Sequence, residues 1–305
     1  VDSTVAFLQA KKASQTQRTR KGLVVRPNGR SADFIIPSFA VGCELACSYC
    51  YVARHRAYGN PLELYDNREA IWQAVKAHWE GLPPKPAPNQ CDATAWTYDI
   101  GESTDCLSPA VVETTRWFIE RFLDETDAKP TFATKLAVGP KVLEAIPHAP
   151  RQARVRLSLS PAPVIKQLEA GTSPLEARLV AIEQLVALGY EVHLNFSPVV
   201  VYEGWVTDYT RLFKQLRLVV SQAVLDQLAC EVIFLTHHPR LHALNMQWRP
   251  EAEDLLWTPA WQEAKTNERG DGVLRYEHAM KAQLVARFKQ LLAEHLPGVT
   301  LRYIF

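Results

Sequence analysis

The sequence predicts an α/β fold in which strands and covering helices alternate into a partial (β/α)6 barrel, followed by a C-terminal β-hairpin and helix. Three observations predict it. Stretches of period-2 apolar patterning alternate with stretches of helical period through the middle of the chain. Six such strand–helix units can be counted, fewer than the eight of a closed barrel. And 305 residues, 47% of them hydrophobic, supply one large core.

Residues 33–41 read as a first strand that runs straight into Cys43. Residues 94–101 are strand-like and 109–123 helical; 131–136 form a strand and 141–145 a short helix. In 155–160, Val155, Leu157 and Leu159 alternate with Arg156 and Ser158. Leu175, Leu179, Ile182, Leu185 and Val186 make one helix face, which Gly189 ends. A strand over 191–201, a helix over 209–219 and a strand over 231–236 complete the repetition, which argues for parallel strands wrapped by helices. Residues 83–88 are a proline-rich link. The pattern breaks over 258–276, where Arg269-Gly270-Asp271-Gly272 reads as a tight hairpin. A last helix over 278–295 and a last strand over 299–305 close the chain. The expected organisation is a basic segment (1–30), the barrel (31–250), and a hairpin, helix and strand packed on it (251–305).

The formal net charge is +1, so global charge neither demands nor excludes a nucleic acid. Its distribution is uneven. Lys11, Lys12, Arg18, Arg20, Lys21, Arg26 and Arg30 fall in one stretch without an acid, which reads as a solvated leader ahead of a DNA-contacting arm. No apolar run reaches the roughly 18–20 residues of a membrane span, and no signal peptide is visible. The chain has six cysteines, three of them within residues 43–50. That is no disulfide framework; it points to metal in a reducing compartment and to a cytoplasmic protein.

The central feature is Cys43-Glu44-Leu45-Ala46-Cys47-Ser48-Tyr49-Cys50-Tyr51, a C-x3-C-x2-C spacing on a loop after a strand. Thiolates are the natural ligands of iron–sulfur clusters. Three of them bind three irons of a 4Fe–4S cubane and leave the fourth iron open, as a catalytic centre requires. Two other readings use the same residues: a zinc site completed by His55 or Cys91, or three unrelated buried thiols. Spacing, the aromatic after the third cysteine and the strand–loop position favour the cluster.

This motif resembles the signature of the radical S-adenosylmethionine superfamily, whose fold is a partial (β/α)6 barrel. The resemblance implies S-adenosylmethionine on the open iron, reductive cleavage to a deoxyadenosyl radical, and an electron donor such as flavodoxin or ferredoxin. Within that superfamily the chain resembles the spore photoproduct lyases from about residue 34 to 305. The shared marks are Tyr49 and Tyr51 around Cys50, the Ser103-Thr104-Asp105 turn, Thr134-Lys135, Arg154-Val155-Arg156-Leu157-Ser158, Val164-Ile165, Gly171-Thr172-Ser173 and Glu203-Gly204-Trp205, in the family's order.

Those lyases reverse a methylene-bridged thymine dimer in DNA. By resemblance Thr104, Asp105, Lys135 and Ser158 hold S-adenosylmethionine. Asp105 suits an ammonium and Lys135 a carboxylate, at strand ends where barrel sites are built; helix capping by Asp105 or Thr104 is the plainer alternative. Two departures stand out. Glu102 occupies the position of the family's hydrogen-donating cysteine, while Tyr49 and Tyr51, the family's hydrogen-atom relay, remain; this leaves Tyr51 or Cys106 as donor, or Glu102 as acid or base. In the lesion-contacting hairpin Arg269 survives, but acids have appeared where a phosphate backbone is expected. The expected activity is therefore a radical lyase on a thymine-dimer-type DNA lesion. Its alternatives are the same chemistry on a nucleoside, peptide or small molecule, or a DNA-binding protein with a structural metal.

Two weaker constellations remain. His237-His238 with His242 offers metal-ligand types but reads as a helix-start pair near substrate, or as surface. Trp72, Trp79 and Trp117 lie on helical faces and read as core; Trp205, Trp248, Trp257 and Trp261 lie near loops, where a base could stack.

Overall fold

The computed structural model describes residues 15–52, 61–266, 270 and 272–305. Its main sheet has eight strands. We number the seven parallel ones β1 (Phe34–Ile35), β2 (Thr97–Asp99), β3 (Lys129–Thr134), β4 (Arg154–Ser158), β5 (Glu191–Val199), β6 (Ala229–Phe234) and β7 (Thr300–Ile304). They lie side by side in chain order. Arg26–Pro27 pairs antiparallel with β1 at one edge. Sequential parallel order is that of a (β/α) barrel, here with unjoined ends.

Helices Val112–Glu125, Leu175–Ala187 and Trp205–Val219 bury one face each. Phe118, Ile119 and Phe122 of the first, and Leu179, Ile182 and Leu185 of the second, are fully or almost fully buried. Val155 and Leu157 of β4 and Leu194 and Phe196 of β5 are buried in the same core. On those two strands the alternate residues are polar and also buried: Arg154, Arg156, Ser158, His193 and Asn195. Period 2 therefore separates an apolar face from a polar face.

At the N-terminal end of the strands the polar face is a closed network. Arg154 donates to Glu191 (3.0 Å), Asp92 (2.7 Å) and the Cys91 carbonyl (2.6 Å). Lys129 bridges Asp92 (2.7 Å) and Glu191 (2.6 Å). One layer up, Arg156 pairs with Asp99 at 2.5 Å, and Glu231 accepts from Tyr303 at 2.7 Å and from Arg302. We call this network the floor.

Three expectations are corrected. Residues 33–41 are not one strand: β1 belongs to the main sheet, whereas Ala40–Val41 pairs with Leu62–Tyr65 in a small second sheet. The last strand is no appendage. β7 pairs in parallel with β6 and is the seventh parallel strand. From Gln15 onward the basic segment is docked, not a free leader: Gln15–Arg18 pairs with Leu62–Tyr65 and Arg30 stacks over Phe305. The hairpin is present, Gln262–Thr266 against Gly272–Tyr276; Arg269 at its tip lies outside the described residues, as does His55.

Candidate active site

The cysteine loop leaves Ala40–Val41 through Gly42, whose φ of +113° favours glycine. A Cβ there would also meet the Leu62 Cα at 3.3 Å. The loop is tied at both ends. Gly42 N donates to the Ser103 carbonyl (3.0 Å), Ser48 N to the Leu168 carbonyl (2.9 Å), and Asn245 Nδ2 to the Ser48 carbonyl (2.9 Å). Cys50 N closes a turn onto the Cys47 carbonyl at 3.1 Å. Cys43, Cys47 and Cys50 form no disulfide; Cys47 is buried and the other two half-buried. Burial, with the charge of Glu169 next, pushes the Cys47 thiol well up, so a thiolate there needs a cation beside it. Cys91 is no fourth ligand to this loop. Its thiol donates to the Arg30 carbonyl at 3.4 Å and its own carbonyl belongs to the floor.

Tyr49 points from the loop into a buried knot. Its hydroxyl donates to Glu169, whose carboxylate also accepts from Ser160 (2.8 Å) and Arg178 (2.8 Å). Arg178 reaches further, to the carbonyls of Ser158 (3.1 Å) and Ser173 (2.8 Å) and to the Thr172 hydroxyl. Ser173 N in turn donates to the Lys135 carbonyl at 3.2 Å. The knot thus fastens the cysteine loop to the C-terminal ends of β3 and β4. Burial alone would raise the Glu169 pKa, but the charges of Arg178 and Lys135 outweigh it and hold the carboxyl below its ordinary value. Burial, then the Glu169 charge, drives the Tyr49 phenol well up.

Residues of the Ser103–Asp105 turn divide their roles. Asp105 accepts from Leu107 N (3.1 Å), the Thr134 hydroxyl (2.8 Å) and Lys135 N (2.8 Å), so its carboxylate shapes the turn and fixes the start of the Lys135 loop. Burial raises its pKa despite these donors. Thr104 Oγ1, by contrast, is buried without a partner among the described residues. Lys135 Nζ lies 5.6 Å from the centre of the Tyr49 ring. Ser158 accepts from Asn195 Nδ2 at 3.1 Å.

At the donor position, the Glu102 carboxylate is paired with Arg26 of the edge strand, and its carbonyl accepts from the Tyr51 hydroxyl. Tyr51 itself is exposed. Cys106 does not share this surroundings. It is fully buried in the apolar core, so close to Gly101 that a Cβ on the glycine would meet its sulfur at 2.7 Å. The expectation of Cys106 as a donor is corrected to a core thiol.

The sequence reading missed Glu169, Arg178, Asn195, Asn245 and Arg26. One signal was available. Arg178 falls on the same helical stripe as Leu175, Leu179, Ile182 and Leu185, and a charge on a buried stripe must have a buried partner. Two aromatic expectations also change. Trp205 is a core residue stacked on Phe288, and Trp257 lies on the His242 ring; Trp248 and Trp261 remain exposed.

A family model described as spore photoproduct lyase matches residues 3–305. The spore photoproduct lyase of Bacillus subtilis (strain 168) is 29% identical over 214 residues, 70% of this chain and 59% of that protein. The spore photoproduct lyase of Geobacillus sp. (strain Y412MC61) is 23% identical over 306 residues, 99% of this chain and 85% of that protein. In three dimensions, a double mutant of a spore photoproduct lyase with bound AdoMet and dinucleoside spore photoproduct superposes with a TM-score of 0.85 at 22% identity. It covers 100% of this chain and 86% of that one. The chain thus spans less than two thirds of the Bacillus relative and most of the Geobacillus one.

Proposed function

Because the chain belongs to the spore photoproduct lyase family, we propose that it repairs a thymine-dimer-type lesion in DNA by radical S-adenosylmethionine chemistry. The observation that carries this reading is the cysteine loop: three cysteines on one short loop, none in a disulfide, locked to the ends of β3 and β4 by the Glu169–Arg178 knot. Three thiolates fit a 4Fe–4S cluster with one open iron. The orphaned, buried hydroxyl of Thr104 fits a polar cofactor seated at the strand ends. Together these groups suit the cluster and S-adenosylmethionine, which supply a deoxyadenosyl radical able to take a hydrogen atom from the substrate.

The chain's own residues do the rest. Cys43, Cys47 and Cys50 hold the cluster. Thr104, Lys135 and Ser158 line the strand ends where S-adenosylmethionine would sit, and Asp105 positions Thr104 and Lys135. Tyr51 is our choice of hydrogen-atom donor. It follows the third cysteine directly, and its hydroxyl already reaches the backbone of Glu102, where the family's cysteine is expected. The Glu102 carboxylate is committed to Arg26. Arg18, Arg20 and Lys21 line one surface cavity with Tyr65, a basic patch suited to a phosphate backbone. A ferredoxin or flavodoxin would supply the electron.

The test is anaerobic turnover of reconstituted protein with a lesion-containing dinucleoside. Wild type should hold about four irons, release deoxyadenosine and restore two thymines. Replacing any of the three cysteines with Ala should abolish both products. Tyr51→Phe should keep S-adenosylmethionine cleavage but stop or divert repair. Cleavage without any lesion repair by the wild type would move the proposal to another substrate; absence of cleavage would overturn it.

A further inference from the structure

Three side chains far from the cysteine loop in sequence converge on one point. His237 lies on the short strand Thr236–His237, His242 on the helix Pro239–Trp248 and Glu253 at the start of the turn Glu253–Leu256. His237 Nε2 is 3.0 Å and His242 Nδ1 2.6 Å from the same Glu253 carboxylate oxygen. One ligand atom from each residue lies within 4.8 Å of the others. His237 is fully buried, so it is not the surface residue that the sequence suggests.

We propose that His237, His242 and Glu253 form a binding site for a divalent transition-metal ion of the zinc type. Two imidazoles and one carboxylate are a ligand set that such ions accept, with a fourth position left for water. Three further features fit a built site. Asn245 Nδ2 donates to the other carboxylate oxygen, Oε1, the kind of outer hydrogen bond that orients a ligand. Trp257 stacks on the His242 ring at 3.9 Å and 18°, fixing its plane. His237 Nδ1 has no partner among the described residues, so moving the ring proton there gives up only the Nε2–H bond to Glu253, which a bound ion would replace. His242 is 26% exposed, which leaves a way in. His238 takes no part; its ring accepts from Arg240 N at the helix start.

The ion would staple the base of the hairpin, through His237, to the helix and the turn. The same Asn245 amide that holds Glu253 also holds the Ser48 carbonyl at 2.9 Å. The metal would thus brace the cysteine loop from outside the site. This inference does not depend on radical chemistry or on a DNA substrate.

The experiment counts metals in the full chain with its iron cluster in place. After incubation with zinc and passage over a chelating resin, the wild type should retain about one zinc per chain. Zinc X-ray absorption should show only nitrogen and oxygen at about 2.0–2.1 Å. His242→Gln, which preserves size and a hydrogen bond to Glu253, should lower zinc affinity at least about 10-fold with iron content unchanged. No retained zinc in the wild type, or a sulfur shell at about 2.3 Å marking the cysteines instead, would overturn the proposal. So would full zinc retention in both His242→Gln and Glu253→Gln. Loss of iron alone would strike the cluster reading and leave this one standing.

Discussion

The two ends of the same strands carry buried charges in two different ways. At the floor, Arg154, Lys129, Asp92 and Glu191 satisfy one another, and every acceptor has a charged donor within 3.0 Å. At the rim, Glu169 and Arg178 are equally buried and equally paired. Yet the same end of the strands holds hydroxyls that have no partner among the described residues, Ser48 Oγ and Thr104 Oγ1. None of the floor residues is orphaned in this way among the described residues. An unpaired buried polar atom costs about 1–3 kcal/mol, and a ligand bound at the rim would offset that cost for these two hydroxyls. Both networks carry structure, but only the rim is left incomplete.

The sharpest way to break this comparison is to damage each network in turn. Arg154→Ala would leave the two carboxylates of Asp92 and Glu191 to share the single charge of Lys129, and Glu169→Gln would strand Arg178. Removing one partner of a buried pair costs roughly 3–5 kcal/mol when the other charge stays buried. We expect Arg154→Ala to lose stability in that range by denaturant titration, while the folded protein binds S-adenosylmethionine as tightly as wild type. Glu169→Gln, which keeps the shape and some hydrogen bonds, should lose less stability but weaken S-adenosylmethionine at least about 10-fold, about 1.4 kcal/mol. If Arg154→Ala weakens the cofactor as much as Glu169→Gln does, the two ends are not separable.

Acidification should pull Asp92 and Asp105, at opposite ends of the strands, in opposite directions. On the floor and the layer above it, Asp92 and Glu231 are both held down at about 2 although burial opposes this; hydrogen bonds and the nearby cations Lys129, Arg156 and Arg302 outweigh it. A depressed carboxyl stabilises the fold above its unfolded pKa, and that share is lost as pH falls through the folded value. The share carried by Asp92 and Glu231 should therefore be intact at pH 5 and mostly gone near pH 2. Asp105 has the reverse sign. Burial raises its pKa, so its ionised form costs stability at neutral pH and acid relieves that cost. In denaturant titrations between pH 5 and 3, Asp92→Asn should flatten the acid loss and Asp105→Asn should steepen it. Matching slopes for the two variants would contradict the assignment.

What could be read from the sequence follows from how locally each feature is encoded. The cysteine loop needs only eight consecutive residues, and helix 278–295 matches the observed His278–His295 because its apolar stripe and its ends are local. The strands of the barrel were placed within a few residues for the same reason. The split of residues 33–41 was not readable, since both halves are apolar and only their partners differ: Tyr98 and Asp99 for one, Glu63 and Leu64 for the other. The support of the site was least visible. Tyr49 meets Glu169 across 120 positions, and Asn245 meets Ser48 across 197. No periodicity reports such a contact; it exists only once the sheet has brought both segments to the same end.

The smallest expected effect bears on Glu102, where the resemblance leads one to expect the family's cysteine. Arg26 reaches Glu102 from the edge strand, with its side chain 44% exposed. A pair this open contributes about 0–1 kcal/mol, so Arg26→Ala should barely shift the unfolding midpoint. Its value is diagnostic. If Glu102 is only the partner of Arg26, freeing the carboxylate should leave both S-adenosylmethionine cleavage and the repair product unchanged, with the same pH profile. If Glu102 is an acid or base in the reaction, losing the guanidinium that holds its carboxylate should change the rate of product formation while S-adenosylmethionine cleavage continues. Glu102→Cys separates the remaining possibility. It places a thiol beside the Tyr51 hydroxyl, which already contacts the backbone at this position, while cutting the bond to Arg26. A gain in repair with this variant would mean that the lesion binds as in the relatives and that the hydrogen-atom source alone had changed. No gain, with Tyr51→Phe still diverting the product, would leave Tyr51 as the sufficient donor.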